Sequence, residues 1–161
     1  MPQFRTCSMN FFGEKGGQLQ FTCAPPRYRA PENDIIWPDK SGAVFIEGAP
    51  PDPNNPGFLD WKNGKIVFAL ADKDIGDLLA AIANQADGKV IHTTNDDKDV
   101  KTFRISAPKP FNGKNTYNLS LQMKSNGAER SISLFINEGD LIRLRVYLAA
   151  SLPYILGLHN L

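Results

Sequence analysis

Apolar and polar residues alternate with a period of two over much of this chain, and the places where that rhythm breaks divide it into elements. Leu19-Gln20-Phe21-Thr22-Cys23 alternates cleanly, the mark of a strand with one buried face. Residues 43–47 form a short β-rich run bounded by Gly42 and Gly48. Further runs of strand character cover 59–62, 65–71, 89–94, 100–107, 116–124 and 130–137. Asn63-Gly64, Asn112-Gly113 and Asn126-Gly127 each separate such runs, which is a strong hairpin signal. Strands joined by turns this short are antiparallel, so a meander is predicted. Two proline-rich stretches, 24–38 and 48–56, read as extended connections, because proline fixes φ and cannot donate to a ladder.

The period switches to that of a helix twice. Ile75, Leu78, Leu79 and Ile82 recur at i, i+3, i+4 and i+7, with Asp72 or Asp74 placed to cap the helix and Asp87-Gly88 to end it. The second helix starts at Asp140 and carries Leu141, Leu144, Leu148 and Leu152 on one stripe. Pro153 is expected to kink or restart it before Tyr154-Ile155-Leu156-Gly157. That stripe, with Ile155, supplies the apolar surface an oligomer would need. A strand, an acidic cap and a helix therefore follow one another twice. The stretch from Val67 to Ile75 corresponds, with one residue of slippage, to that from Leu134 to Leu141. The expectation is a single α+β domain over 1–161, internally duplicated at about 11–87 and 88–161.

Composition narrows the function. At 161 residues and 42% hydrophobic content the chain can bury one sizeable core. No apolar run approaches the roughly 18 residues that cross a bilayer, and the first residues lack the apolar stretch of a secretory signal. An intracellular setting is expected: a bacterial or phage-infected cytoplasm, or an organelle once a targeting segment is removed. Cys7 and Cys23 lack metal-site spacing and read as free thiols. No phosphate-binding lysine loop, nucleophile elbow, dinucleotide glycine fingerprint or metal-spaced histidine pair occurs. Neither enzyme chemistry nor a cofactor, metal or small-molecule substrate is expected. His92 in a strand and His159 in the tail read as structural or solvent-facing.

Charge placement carries the most information. Eighteen Lys and Arg against seventeen Asp and Glu give a net +1, yet the stretch 101–128 holds Lys101, Arg104, Lys109, Lys114 and Lys124 and no acidic residue. This ribbon is +5 and the remainder −4, an asymmetry suited to a phosphate backbone. Alternation from Tyr117 to Lys124 sends Tyr117, Leu119, Leu121 and Met123 inward and Asn118, Ser120, Gln122 and Lys124 outward. In the next strand Ile132, Leu134 and Ile136 belong inside, which puts Ser133 and Phe135 on the same open face. A polar sheet face with basic residues and an aromatic is a stacking platform for single-stranded nucleic acid. The candidate binding set is Lys62, Lys101, Arg104, Lys109, Lys114, Asn118, Ser120, Gln122, Lys124 and Phe135. An RNA-binding scaffold and an oligomeric interaction module without nucleic acid remain the alternatives.

Several segments, in order, carry a likeness to one family. Leu59-Asp60-Trp61 and Lys65-Ile66-Val67-Phe68-Ala69-Leu70 are similar to an aspartate-tryptophan pair before a strand. Asp74-Ile75-Gly76 resembles the start of the family's first helix, and Ile91-His92-Thr93-Thr94-Asn95 a histidine-containing strand end. Tyr117-Asn118-Leu119-Ser120-Leu121-Gln122-Met123-Lys124 resembles the aromatic-asparagine-leucine-serine strand. Leu152-Pro153-Tyr154-Ile155-Leu156-Gly157-Leu158-His159 is similar to the closing helix. Arg29-Ala30-Pro31 and Ser41-Gly42-Ala43 extend the likeness toward the N-terminus. Together these segments resemble the Whirly family of single-stranded DNA-binding proteins, and the resemblance implies two four-stranded antiparallel sheets packed crosswise, a helix after each, and a homotetramer joined through its helices. It implies sequence-tolerant binding of single-stranded DNA in replication, recombination or repair. Lys15-Gly16-Gly17-Gln18-Leu19 departs from the family's lysine-glycine-lysine motif at the second lysine, a position tied there to DNA binding and higher assembly.

Overall fold

A computed structural model describes residues 7–14, 16–28, 38–94 and 98–158. Four strands form the first sheet in the order β1 (Ser8–Phe12), β2 (Gln18–Ala24), β5 (Ala43–Ala49) and β6 (Ile66–Leu70), all antiparallel. Between β2 and β5 the proline-rich connection carries a small two-stranded sheet, β3 (Arg27–Tyr28) and β4 (Pro38–Lys40). Helix α1 (Asp72–Ala83) follows. The second sheet runs β11 (Ala128–Asn137), β10 (Lys114–Ser125), β8 (Asp99–Ile105) and β7 (Gly88–Thr94), with short β9 (Lys109–Phe111) beside the start of β10. Helix α2 (Glu138–Ile155) closes the chain. Four strands and a helix therefore occur twice in succession, as two meanders rather than one.

The expected strand at 59–62 is not formed. Leu59 makes only an isolated bridge to Pro51, and residues 60–64 turn around Asp60, whose carboxylate accepts from the Asn63 N–H (2.8 Å) and whose carbonyl accepts from Gly64 (3.2 Å). An aspartate that can bond its own backbone a few residues on favours a turn over a ladder. The other two Asn-Gly pairs do form hairpins. Asn112 and Gly113 have φ of 49° and 74°, and Asn126 and Gly127 of 48° and 80°, the left-handed pair that a type I′ turn demands. Strand β1 escaped the sequence reading although Met9 and Phe11 point inward around an outward Asn10.

Helix boundaries also shift. Helix α2 begins at Glu138, two residues before the expected Asp140, because Asn137 is the cap: its Oδ1 accepts from the Asp140 N–H at 2.9 Å. At α1 neither Asp72 nor Asp74 caps; Ala71 holds that position, and Asp74 reaches back to accept from the Ala71 N–H at 2.9 Å. Helix α1 ends at Ala83, short of Asp87-Gly88, where Gln85 turns left-handed (φ 53°). Pro153 lies inside the last turn of α2 without ending it. Aligned at their caps, Phe68, Leu70, Ile75 and Leu78 match Leu134, Ile136, Leu141 and Leu144 without slippage, all of them buried.

The sheets face each other over one core. Phe103 of β8 sits between Phe21 of β2 (5.8 Å, edge-on) and Phe68 of β6 (6.4 Å). The approach is tight at Gly48, where a Cβ would lie 2.6 Å from Ile132 Cδ1 and 2.9 Å from Leu19 Cδ2. The leucine stripe of α2 completes this core. Leu144 and Leu148 are 0% exposed, Ile155 1% and Leu141 7%, with Leu152 partly buried. Leu141, Leu144, Leu148 and Ile155, expected at a subunit interface, therefore pack inside the protomer, and Leu152 packs in part against the same core. His92 is satisfied structurally: Nε2 lies 3.0 Å from Asp74 Oδ2, and the ring stacks on Phe68 at 4.5 Å. His159 lies outside the described residues.

Tyr147 ties α2 to the first sheet by donating from its hydroxyl to the Cys7 carbonyl (2.7 Å) and the Phe21 carbonyl (3.2 Å). Burial first, then the nearby Cys23 thiol, push its pKa up from 10.0 to about 12. The folded chain holds this proton after the unfolded chain has lost it, so the stabilisation is complete below pH 10.0 and disappears as the pH rises toward about 12. Absorbance titration of the phenols should find one group ionising late, and Tyr147→Phe should remove that phase.

Candidate nucleic-acid interface

The outer face of the second sheet is set by strand parity. In β8, Phe103 and Ile105 are buried, so Thr102 and Arg104 point out. In β10 the outward set is Asn118, Ser120, Gln122 and Lys124, as the sequence pattern predicts. In β11 it is Ser131, Ser133 and Phe135, and in β7 Lys89, Ile91 and Thr93. Register joins them into rows. Lys89, Arg104, Ser120 and Ser133 lie side by side, as do Ile91, Thr102, Gln122 and Ser131. Phe135 sits beside Asn118 and is 70% exposed, so it belongs to this surface and not to the core.

Arg104 has no ion-pair partner among the described residues, and Lys124 has only an exposed one, Glu129 at 3.4 Å. Such a pair is worth about 0–1 kcal/mol and yields readily to a phosphate. Asn118 is braced, its amide donating to Ser133 Oγ at 2.7 Å and to the Leu134 carbonyl at 3.3 Å. Two hollows open on the face. One of about 280 Å³ has a floor of Ser106, Asn118 and Ser120 and walls of Phe135, Arg104, Lys109 and Asp87. The other, about 250 Å³, lies between Lys89, Lys124 and Arg104 over Ile91, Thr102 and Gln122. Arg104 borders both. No group of three or more potential metal-binding side chains occurs among the described residues.

Three candidates stand apart from this face. Lys101 shares the parity of Phe103 and points inward, where its ammonium donates to the Val67 carbonyl of the first sheet at 2.9 Å. It ties the sheets together and is withdrawn from the binding set; the same alternation that assigned Arg104 outward already placed Lys101 inward. Lys114 stands at the β9–β10 hairpin beside Asn137 and Glu138, around a separate hollow of about 450 Å³. Lys62 is exposed on the Asp60 turn, whose Asn63 carbonyl accepts from Arg130 at the start of β11 (2.7 Å). Lys62 and Lys114 thus lie off the rows. The outer face of the first sheet carries Asn10, Gln18, Gln20 and Thr22 with the exposed rings of Phe12 and Phe45, but its bordering Lys65 is paired with Glu47.

Nearly the full length of the chain aligns with solved structures. WHY1 from Arabidopsis thaliana matches with a TM-score of 0.83 at 20% identity, over 99% of this chain and 90% of that one. The chain has the Whirly fold. WHY3 from Arabidopsis thaliana matches this Whirly arrangement at 0.79 and 19% identity, covering 98% and 92% of the two chains. The plant transcriptional regulator PBF-2 matches at 0.80 and 16%, covering 99% and 87%. No family model and no curated protein sequence matches, so the Whirly likeness is one of architecture. In this Whirly fold the sequence reading missed Lys89 and Ile91, the latter 49% exposed. Lys89 lies outside the acid-free stretch, yet Val90 between them, apolar and inward, gave their parity.

Phe135→Ala should leave stability nearly unchanged, because the ring is 70% exposed, and should cost about 1–3 kcal/mol of affinity for an oligonucleotide if a base stacks there. Thermal unfolding and fluorescence anisotropy on the same variant separate the two effects.

Proposed function

We propose that this protein binds single-stranded DNA along the outer face of its second sheet, without catalysing a reaction, and serves in replication, recombination or repair. The observation that carries the reading is the row Lys89, Arg104, Ser120 and Ser133 flanked by Lys109, Lys124 and the exposed Phe135, on a chain whose net charge is only +1. Charge for phosphates and a ring for bases stand on one surface, as sequence-tolerant single-strand binding needs. The fold, shared with a plant transcriptional regulator, supports the same reading. A duplex keeps its bases stacked inside, so it can use the charge but not the ring. Anisotropy titrations of single-stranded against duplex DNA at two salt concentrations test it: tighter, salt-sensitive binding of the single strand is expected. Equal or salt-independent affinity would refute it, and tighter binding of a matched RNA would reassign the ligand.

We further propose a homotetramer built on the outer side of α2. Ile142 and Val146, one turn apart, are 56% and 62% exposed, and Leu156 is 49% exposed, opposite the stripe that faces the core. Apolar surface of this kind on a helix calls for a cover. Ile142→Asp with Val146→Asp should convert the tetramer to smaller species with a folded protomer, as read by light scattering and circular dichroism.

A further inference from the structure

The hollow walled by Phe135 contains a group that phosphate binding does not explain, the carboxylate of Asp87. Its Oδ1 accepts from the Ala107 N–H at 2.7 Å, which fixes it at the rim beside Arg104 and Lys109. A carboxylate there repels phosphate, so its complement is a neutral group rich in N–H donors. The floor is partly engaged within the chain. The Ser106 hydroxyl donates to the Ala107 carbonyl (2.9 Å) and accepts from the Asn118 N–H (2.8 Å), and the Asn118 Nδ2 is spent on Ser133 and Leu134, which leaves Asn118 Oδ1 and the Ser120 hydroxyl to meet the rest of a base.

We propose that this hollow reads one guanine base in the bound strand, with Asp87 as the residue that sets the preference. The proposal rests on the outer face being a single-stranded DNA site. Guanine alone among the DNA bases presents two adjacent N–H donors, N1–H and the 2-amino group, on one edge, and the forked acceptors of a carboxylate match them. Its neighbouring O6 accepts, and the cationic donors beside Asp87 are Arg104 and Lys109. Adenine and cytosine each set one exocyclic amine beside a ring acceptor, and thymine sets a single N–H between two carbonyls; both patterns bring lone pairs toward the carboxylate. Phe135 walls the same hollow and supplies the stacking surface. The adjoining hollow shares Arg104 but has no carboxylate, only Lys89 and Lys124 as charged walls besides it. It takes any base, so one position is read within an otherwise tolerant strand.

The test compares oligo(dT) with the same oligomer carrying one central dG, dA, dC or deoxyinosine, each titrated by anisotropy at one salt concentration. The dG oligomer should bind roughly tenfold tighter than oligo(dT), deoxyinosine, which lacks the 2-amino group, should lose most of that gain, and dA and dC should show none. In Asp87→Asn the Ala107 N–H holds the amide oxygen and turns the NH2 toward the base donors, so the dG gain should disappear while thermal unfolding shows a folded chain. Salt-sensitive oligo(dT) binding with no dG gain, or a gain that survives Asp87→Asn, overturns the guanine assignment and leaves the single-strand reading standing. Failure to bind oligo(dT) at all overturns both.

Discussion

Phe103→Ala should remove about 3–5 kcal/mol of stability, because it empties the place where three aromatic side chains from both sheets meet. Phe103 is fully buried, edge-on to Phe21 and tilted against Phe68, which in turn stacks on His92. Neither sheet can close the space alone. The sheets already touch at Gly48, so the backbone has little room to collapse toward the void. A domain of this size has roughly 5–15 kcal/mol in all, so a folded population should persist with a much lower denaturation midpoint. Urea unfolding of Phe103→Ala beside Phe103→Leu checks it; a loss under about 1 kcal/mol for alanine would mean that the sheets close up without this ring. The consequence reaches the outer face, since Thr102 and Arg104 flank Phe103 in β8 and are aimed outward only while it is anchored inward.

That coupling explains which parts of the molecule were legible in the sequence. Period-two alternation is a local property of a strand, so Asn118, Ser120, Gln122, Lys124 and Phe135 could be assigned to one face before any pairing was known. The acid-free stretch marked strands of the outer face but not which of their side chains reach it, because charge counted along the chain ignores parity. It admitted Lys101, which faces the first sheet, and left out Lys89, which register sets beside Arg104. The α2 stripe was legible as apolar, but an amphipathic pattern does not say what covers it. In this fold the chain's own sheets do, and the surface left for a neighbour is Ile142 and Val146 on the other side. Asp60 misled for a related reason: an apolar flank predicted a strand, while a side chain able to bond its own backbone made a turn.

The largest functional effect is expected from removing the cations of the outer face together. Single-strand binding releases about 0.7 counterions per phosphate neutralised, so the slope of log affinity against log salt reports how many phosphates the protein neutralises. Lys89, Arg104, Lys109 and Lys124 are the cations bordering the two hollows. Replacing all four with alanine should flatten the slope for oligo(dT) by about 3, at roughly 0.7 for each phosphate left without its cation. The same change makes the variant's affinity less dependent on salt and weakest, relative to the parent, in dilute buffer. Oligo(dT) is the right probe because it isolates the charge effect from any preference among bases. Lys101→Met serves as the internal comparison: its ammonium is held by the Val67 carbonyl, so the slope should stay as in the parent while unfolding occurs more easily. Were Lys101→Met to flatten the slope and the quadruple variant to leave it, the DNA would follow the seam where Lys101 meets Val67 and the outer face would be a solvated surface without a ligand.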